Sequence, residues 1–228
     1  MGDLIFHGSE NIINQPVFGK GSLSNDYGRG FYCTENIELA KEWACKNNTD
    51  GYANAYFIDY DGLKILNLNS PEYSVLNWLA ILTEHRTYWQ KHSISEEAKE
   101  YLKENFLIDI KPYDIIIGYR ADDSYFSFAQ DFVSGTISLR KLTEAMSLGK
   151  LGEQIVLKSK KAFEHITYTG YEKAEANIYY SKKHERDKSA RRAYRNTRSS
   201  NDTINDIFMI DIMRLNIISG DERLKTQV

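Results

Sequence analysis

An α/β (α+β) chain built around one core is the fold class this sequence predicts, on three observations. Apolar runs of strand length, "DLIFHGS", "YDIIIGY" and "QIVLKS", alternate with stretches of helical periodicity. The 228 residues suit one domain of ordinary size, or one domain with an extension. From about residue 171 the composition turns basic and helix-forming, so we divide the chain into a domain, 1–170, and a helical C-terminal extension packed on it, 171–228.

The elements follow in order. "DLIFHGS" predicts a strand that delivers His7, Gly8 and Ser9 to its end. In "YGRGFYCTENIELAKEW", residues 27–43, Gly28 and Gly30 flank Arg29, a pattern for a tight bend or a ligand-facing edge. A helix follows, with Thr34 as its N-cap, Glu35 and Glu38 in its first turn, and Ile37, Leu39, Ala40, Trp43 and Ala44 at helical spacing. "ANAYFIDY" and "LKILNL", separated by Asp61-Gly62, predict a hairpin with a type I′ turn. Ser70-Pro71 opens a helix through "EYSVLNWLAILTEH", and Ser93 with Glu96 forms a capping box for the next. "YDIIIGY" reads as a strand buried on both faces, whose end meets the polar loop "RADDSYFSF" and another helix. Ser138 begins a helix that stops near Gly149; "QIVLKS" and "ITYT" supply later strands. "NDTINDIFMIDIMRLNI" returns to a helical pattern in the extension.

Composition excludes several classes. The formal net charge of −3 argues against a polyelectrolyte that coats nucleic acid or an anionic membrane. Cys33 and Cys45 fit no metal spacing, and five scattered histidines make no zinc set, so no metal is expected and the thiols read as reduced. No apolar run approaches the roughly 18 residues of a membrane span, and "MGDLIFHG" lacks the layout of an export signal. A soluble, cytoplasmic protein is expected.

Three separated stretches carry the functional reading: "FHGS", "GRGFYCT" with its helix, and "GEQIVL". In their order and spacing they resemble the ADP-ribosyltransferase superfamily, in the branch with a His, Tyr, Glu triad shared by diphtheria-like toxins and poly-ADP-ribose polymerases. More narrowly, the chain resembles a bacterial family of uncharacterised domains in that superfamily linked to toxin-antitoxin pairs. The resemblance covers about residues 3–170. It implies two small, roughly orthogonal sheets around an NAD cleft, NAD as substrate, and a protein or nucleic-acid acceptor, with an antitoxin as a further partner. It also implies roles: His7 bonds a ribose hydroxyl, the Gly8 main chain holds the carboxamide, Tyr32 stacks on nicotinamide, and Glu153 is the catalytic glutamate. Trp43 stands where the family commonly has a second stacking tyrosine, and Ser9 and Gly30, beside these positions, are expected to contact NAD as well.

The chemistry is coherent in itself. Breaking the ribose–nicotinamide bond builds positive charge at the anomeric carbon, as in glycoside hydrolysis, and a carboxylate such as that of Glu153 would offset it. Glu153 is followed by Gln154, and strand alternation places the two on opposite faces. We expect Glu153 to face the ribose; if Gln154 does, the fold serves as a binding module. In "YRADDSYF", Arg120 is a phosphate candidate, while Asp122 or Asp123 orients or deprotonates an acceptor or merely caps the next helix; Tyr125 lies in the same stretch. Arg29 is a second phosphate candidate. Ordinary structural readings stand beside these: a satisfied His7, Tyr32 and Trp43 as core aromatics, a solvated Glu153. The basic run Lys182, Lys183, Arg186, Lys188, Arg191, Arg192, Arg195 and Arg198, interspersed with Glu185 and Asp187, reads as a solvated helix face or as a docking face for nucleic acid or an acidic partner. NAD hydrolysis, with water as acceptor, is the nearest enzymatic rival.

Overall fold

A computed structural model describes residues 2–87, 93–121, 123–148 and 152–227. Two small sheets carry the architecture. The first has the order β1-β3-β7, all antiparallel: β1 (Gly2–Ser9), β3 (Gly51–Asp59) and β7 (Ile166–Ala174). The second has the order β2-β6-β5-β4: β2 (Phe31–Cys33), β6 (Glu153–Leu157), β5 (Ile115–Tyr119) and β4 (Ile65–Asn67), with β4 parallel to β5 and the other pairs antiparallel. Among the described residues eight α-helices surround them: α1 (Ile37–Ala44), α2 (Val75–His85), α3 (Ser93–Phe106), α4 (Asp123–Val133), α5 (Leu139–Ser147), α6 (Lys160–Glu164), α7 (Ala176–Ser199) and α8 (Met209–Arg214). None of the described helices is long and apolar enough to cross a membrane.

The alternation of side chains along the second sheet divides the core in two. Cys33, Ile155, Leu157 and Ile115 face the first sheet and pack on Ile5, Tyr56 and Ile58. Ile116 and Val156 belong to the opposite face, where α2, α3, α4 and α5 build a larger core around Trp78, Leu79, Phe128 and Phe132. β5 is therefore covered on both faces, as its unbroken apolar run requires. Among the described residues one main-chain bridge joins the two packed sheets, Phe6 to Thr34, whose two main-chain bonds of 2.7 and 2.9 Å carry the end of β1 alongside β2. That bridge builds the site.

Several expectations are corrected. The segments 53–60 and 63–68 do not form a hairpin. Gly62 does take the left-handed conformation (φ +68°), but both edges of β3 are filled by β1 and β7, so the chain crosses to β5 in the other sheet. The N-cap of α1 is Asn36, whose side chain accepts from the Glu38 and Leu39 N–H groups, while Thr34 is buried in the inter-sheet bridge and Glu35 precedes the helix. α2 starts after Ser74, not at Pro71; Asn77 Oδ1 accepts from the Ser74 N–H at 2.9 Å. α3 begins at Ser93 as expected, but the Ser93 side chain, and with it the capping box, lies outside the described residues, as does Gly149 beyond α5. Ser138 caps α5. The boundary expected at residue 170 falls inside β7, and Tyr194, Met209, Ile212 and Leu224 of the tail join the large core. Only Met209–Arg214 of the last apolar stretch is helical.

Candidate functional site

The bridge sets His7, near the end of β1, next to Tyr32 of β2. His7 Nδ1 lies 2.7 Å from the Tyr32 carbonyl oxygen, which can only accept, so the proton sits on Nδ1 and Nε2 is left as an acceptor. Burial pushes the imidazole below its ordinary value, an effect the Tyr32 carbonyl opposes, so the ring is neutral at pH 7. Phe31 stacks on the same ring, with centroids 4.2 Å apart.

These residues open on a cleft of about 650 Å³, lined also by Gly8, Gly30, Trp43 and Arg120 and roofed by the loop between β1 and β2. The glycines have distinct reasons. A Cβ on Gly8 would lie 2.0 Å from the Ala40 carbonyl oxygen, so the glycine lets α1 lie directly on β1 and brings Trp43 to the cleft. Gly28 has φ +69° and turns the chain, and the Tyr32 hydroxyl closes that turn by donating to the Gly28 carbonyl at 2.6 Å while accepting from the Tyr27 N–H at 3.1 Å. Lys158 supports it from below, donating to the carbonyls of Tyr27 and Arg29; burial lowers this amine to about 8. The Arg120 guanidinium lies 3.6 Å from the centroid of the Trp43 ring. One face of the indole is thereby covered.

Not every expected residue joins the cleft. His7, Gly8, Gly30, Tyr32, Trp43 and Arg120 line it; Ser9 and Arg29 do not, Arg29 being exposed. Tyr125 is buried against Phe128 in the helical core. Asp122 lies outside the described residues, as does the side chain of Asp123 at the start of α4. The main correction concerns β6. Glu153 is exposed at the strand's first position, accepts from Asn69 Nδ2 at 2.7 Å and is not part of the lining, whereas Gln154 is 4% exposed and lines the cleft. The cause is register: Gln154 pairs with Gly118 and shares the face of Val156 and Tyr32, and Glu153 pairs with Tyr119 on the alternate face.

Sequence reasoning missed Asp26, which is only 5% exposed and lines the same cleft. Its Oδ2 accepts from the Ala121 N–H at 2.8 Å and from Gln154 Nε2 at 3.2 Å, and Arg86 Nη1 stands 3.6 Å from Oδ1. Burial raises its carboxyl above the ordinary range, while the Ala121 N–H, Arg86 and Gln154 pull it back. The only available signal was its place in "SNDYGRG", where an aspartate reads as a turn residue. Among the described lining residues two polar atoms are buried with no hydrogen-bond partner, Gln154 Oε1 and Trp43 Nε1. Among the described residues no group of three or more His, Cys, Asp or Glu side chains could hold a metal.

A family model described as "Protein of unknown function (DUF3990)" matches residues 4–168. The chain belongs to the DUF3990 family. No curated protein and no solved structure matches it. The DUF3990 match runs from β1 into β7 and spans the described lining residues, from His7 to Phe163, while α7 and α8 lie beyond it. In this DUF3990 member the basic run on α7 is engaged with the domain: Lys182 pairs with Glu38 at 3.0 Å, and Arg186 with Glu42 at 2.8 Å.

Proposed function

We propose that the cleft binds NAD and that the protein is an ADP-ribosyltransferase, cleaving the nicotinamide–ribose bond and passing ADP-ribose to a macromolecular acceptor. The observation that carries the reading is the convergence of His7, Gly8, Tyr32 and Trp43, from β1, β2 and α1, on one cleft of about 650 Å³, a volume within the range of roughly 300–1,000 Å³ typical of cofactor sites. A neutral His7 with Nε2 as acceptor suits a ribose hydroxyl, which donates. Tyr32 and Trp43 offer aromatic surface to a flat ring, and Arg120, stacked on Trp43, adds a fixed positive charge to the lining that suits a phosphate. The resemblance to toxin-linked relatives extends the proposal to a bacterial toxin neutralised by a partner protein.

A second reading has its own support. Glu153 lies outside the cleft lining and Gln154 within it, which favours a module that binds NAD or another nucleotide without cleaving it. Incubating the purified protein with labelled NAD and a host-cell lysate separates the possibilities. Free nicotinamide with label on macromolecules is the expected result, and nuclease or protease sensitivity then identifies the acceptor class. Nicotinamide without transferred label makes the protein a hydrolase; NAD binding without release makes it a binding module; no binding removes the NAD reading.

A further inference from the structure

Among the described residues that line the cleft, Asp26 carries the only carboxyl group. Its position is built. The Ala121 N–H at the end of β5, the Gln154 amide on β6 and the Arg86 guanidinium beyond α2 converge on it from three elements. A carboxylate offers about four acceptor positions, and Oδ2 uses two of them here. The amide that donates to Asp26 also leaves Gln154 Oε1 buried without a partner in the same lining. A buried acceptor without a protein partner is met by an ordered water or by a functional contact, and a sugar hydroxyl beside Asp26 supplies the second.

We propose that Asp26, held in place by Gln154, is the carboxylate that stabilises the ribosyl cation in this cleft, the part expected of Glu153. The proposal rests on the NAD reading. In the step, the bond between C1′ and the nicotinamide nitrogen breaks and its electron pair stays with the ring, which leaves as neutral nicotinamide. Asp26 stays ionised and accepts a hydrogen bond from a ribose hydroxyl while positive charge grows at C1′. A lone pair of the acceptor, or of water, forms the new bond to C1′, and its proton passes to solvent. No oxidant, metal or further reactant enters the balance. Gln154 is a positioning residue: its Nε2 fixes the carboxylate, and its Oε1 takes a second hydroxyl.

The test compares the full-length wild type with Asp26→Asn, Glu153→Gln and Gln154→Met, each checked for cooperative unfolding. NAD binding is read by calorimetry and nicotinamide release by chromatography. Asp26→Asn keeps the shape of the side chain and its ability to accept from the Ala121 N–H. We expect it to bind NAD within a few-fold of wild type and to release nicotinamide about 100-fold more slowly, in line with the loss of one preorganised electrostatic contact. Glu153→Gln releases it at the wild-type rate, and Gln154→Met is about tenfold slower with little change in affinity. Release by Asp26→Asn at the wild-type rate, or loss confined to Glu153→Gln, overturns the proposal while leaving NAD cleavage standing. Should Asp26→Asn not fold, wild-type release by Gln154→Met overturns it equally. A wild type that binds NAD and never cleaves it, or that binds none, removes the NAD cleavage reading itself and the proposal with it.

Discussion

Both hydrogen bonds of the Tyr32 hydroxyl go to the main chain of residues 27 and 28, so this side chain shapes the cleft wall as well as lining it. Tyr32→Phe keeps the ring and strips a carbonyl and an N–H of their partner. Leaving such groups unsatisfied costs about 1–3 kcal/mol, and urea unfolding should show a loss of that size with little change in the far-ultraviolet circular dichroism. His7 gives a pH dependence with a definite sign. Its folded value is depressed below the ordinary 6.5 by burial, so the unfolded chain binds the proton more readily. The stability this contributes is complete above the unfolded value and is lost as the pH falls from 6.5 through the folded value. Melting temperatures followed from pH 7.5 downward should fall less steeply in His7→Gln than in the wild type, with the difference confined to the acid side of 6.5. At this scale the sequence was informative where a side chain's partner is close in the chain and silent where it is not. Tyr32 lies four residues from Gly28, whereas the three groups that bury Asp26 come from residues 86, 121 and 154.

At the scale of elements, the contact between β1 and α1 depends on the absence of a side chain at Gly8. Gly8→Ala places a methyl 2.0 Å from the Ala40 carbonyl oxygen, a backbone atom that cannot rotate away. The helix must lift, at a cost of about 1–3 kcal/mol, and denaturant unfolding measures it; because Trp43 rides on α1, its fluorescence in the folded state should shift as well. β1, β5, β6 and α5 were legible because period and caps are local properties. The fate of β4 was not, since Asp61-Gly62 carries full hairpin chemistry and only the occupation of both edges of β3 sends the chain elsewhere. The parity of β6 was equally out of reach. Glu153 and Gln154 were known to face opposite ways, but which faces the cleft is set by pairing with Gly118 and Tyr119 in a strand more than 30 residues upstream.

Taken whole, the molecule is two sheets joined through the Phe6–Thr34 bridge, with α7 fastened across α1 by Lys182–Glu38 and Arg186–Glu42. A ligand that fills the cleft bonds to β1, β2 and α1 together and should stabilise all of them in one transition. NAD at about 100 times its dissociation constant should add about 2.7 kcal/mol, seen as a rise in melting temperature that grows with the logarithm of concentration; no rise at millimolar NAD would contradict occupancy of the cleft. The loop between β1 and β2 carries one more consequence. It is fastened at its start by Asn54, which accepts from the Ile13 N–H and donates to the Asn11 carbonyl, and at its end by Asp26. Residues 14–25 span the cleft mouth between these two fastenings, and apolar Val17, Phe18 and Leu23 within them are exposed. Lengthening a loop between fixed ends costs little, about 0.6 kcal/mol per doubling. A change in the length of this loop can therefore alter what enters the cleft while leaving the residues that line its floor in place.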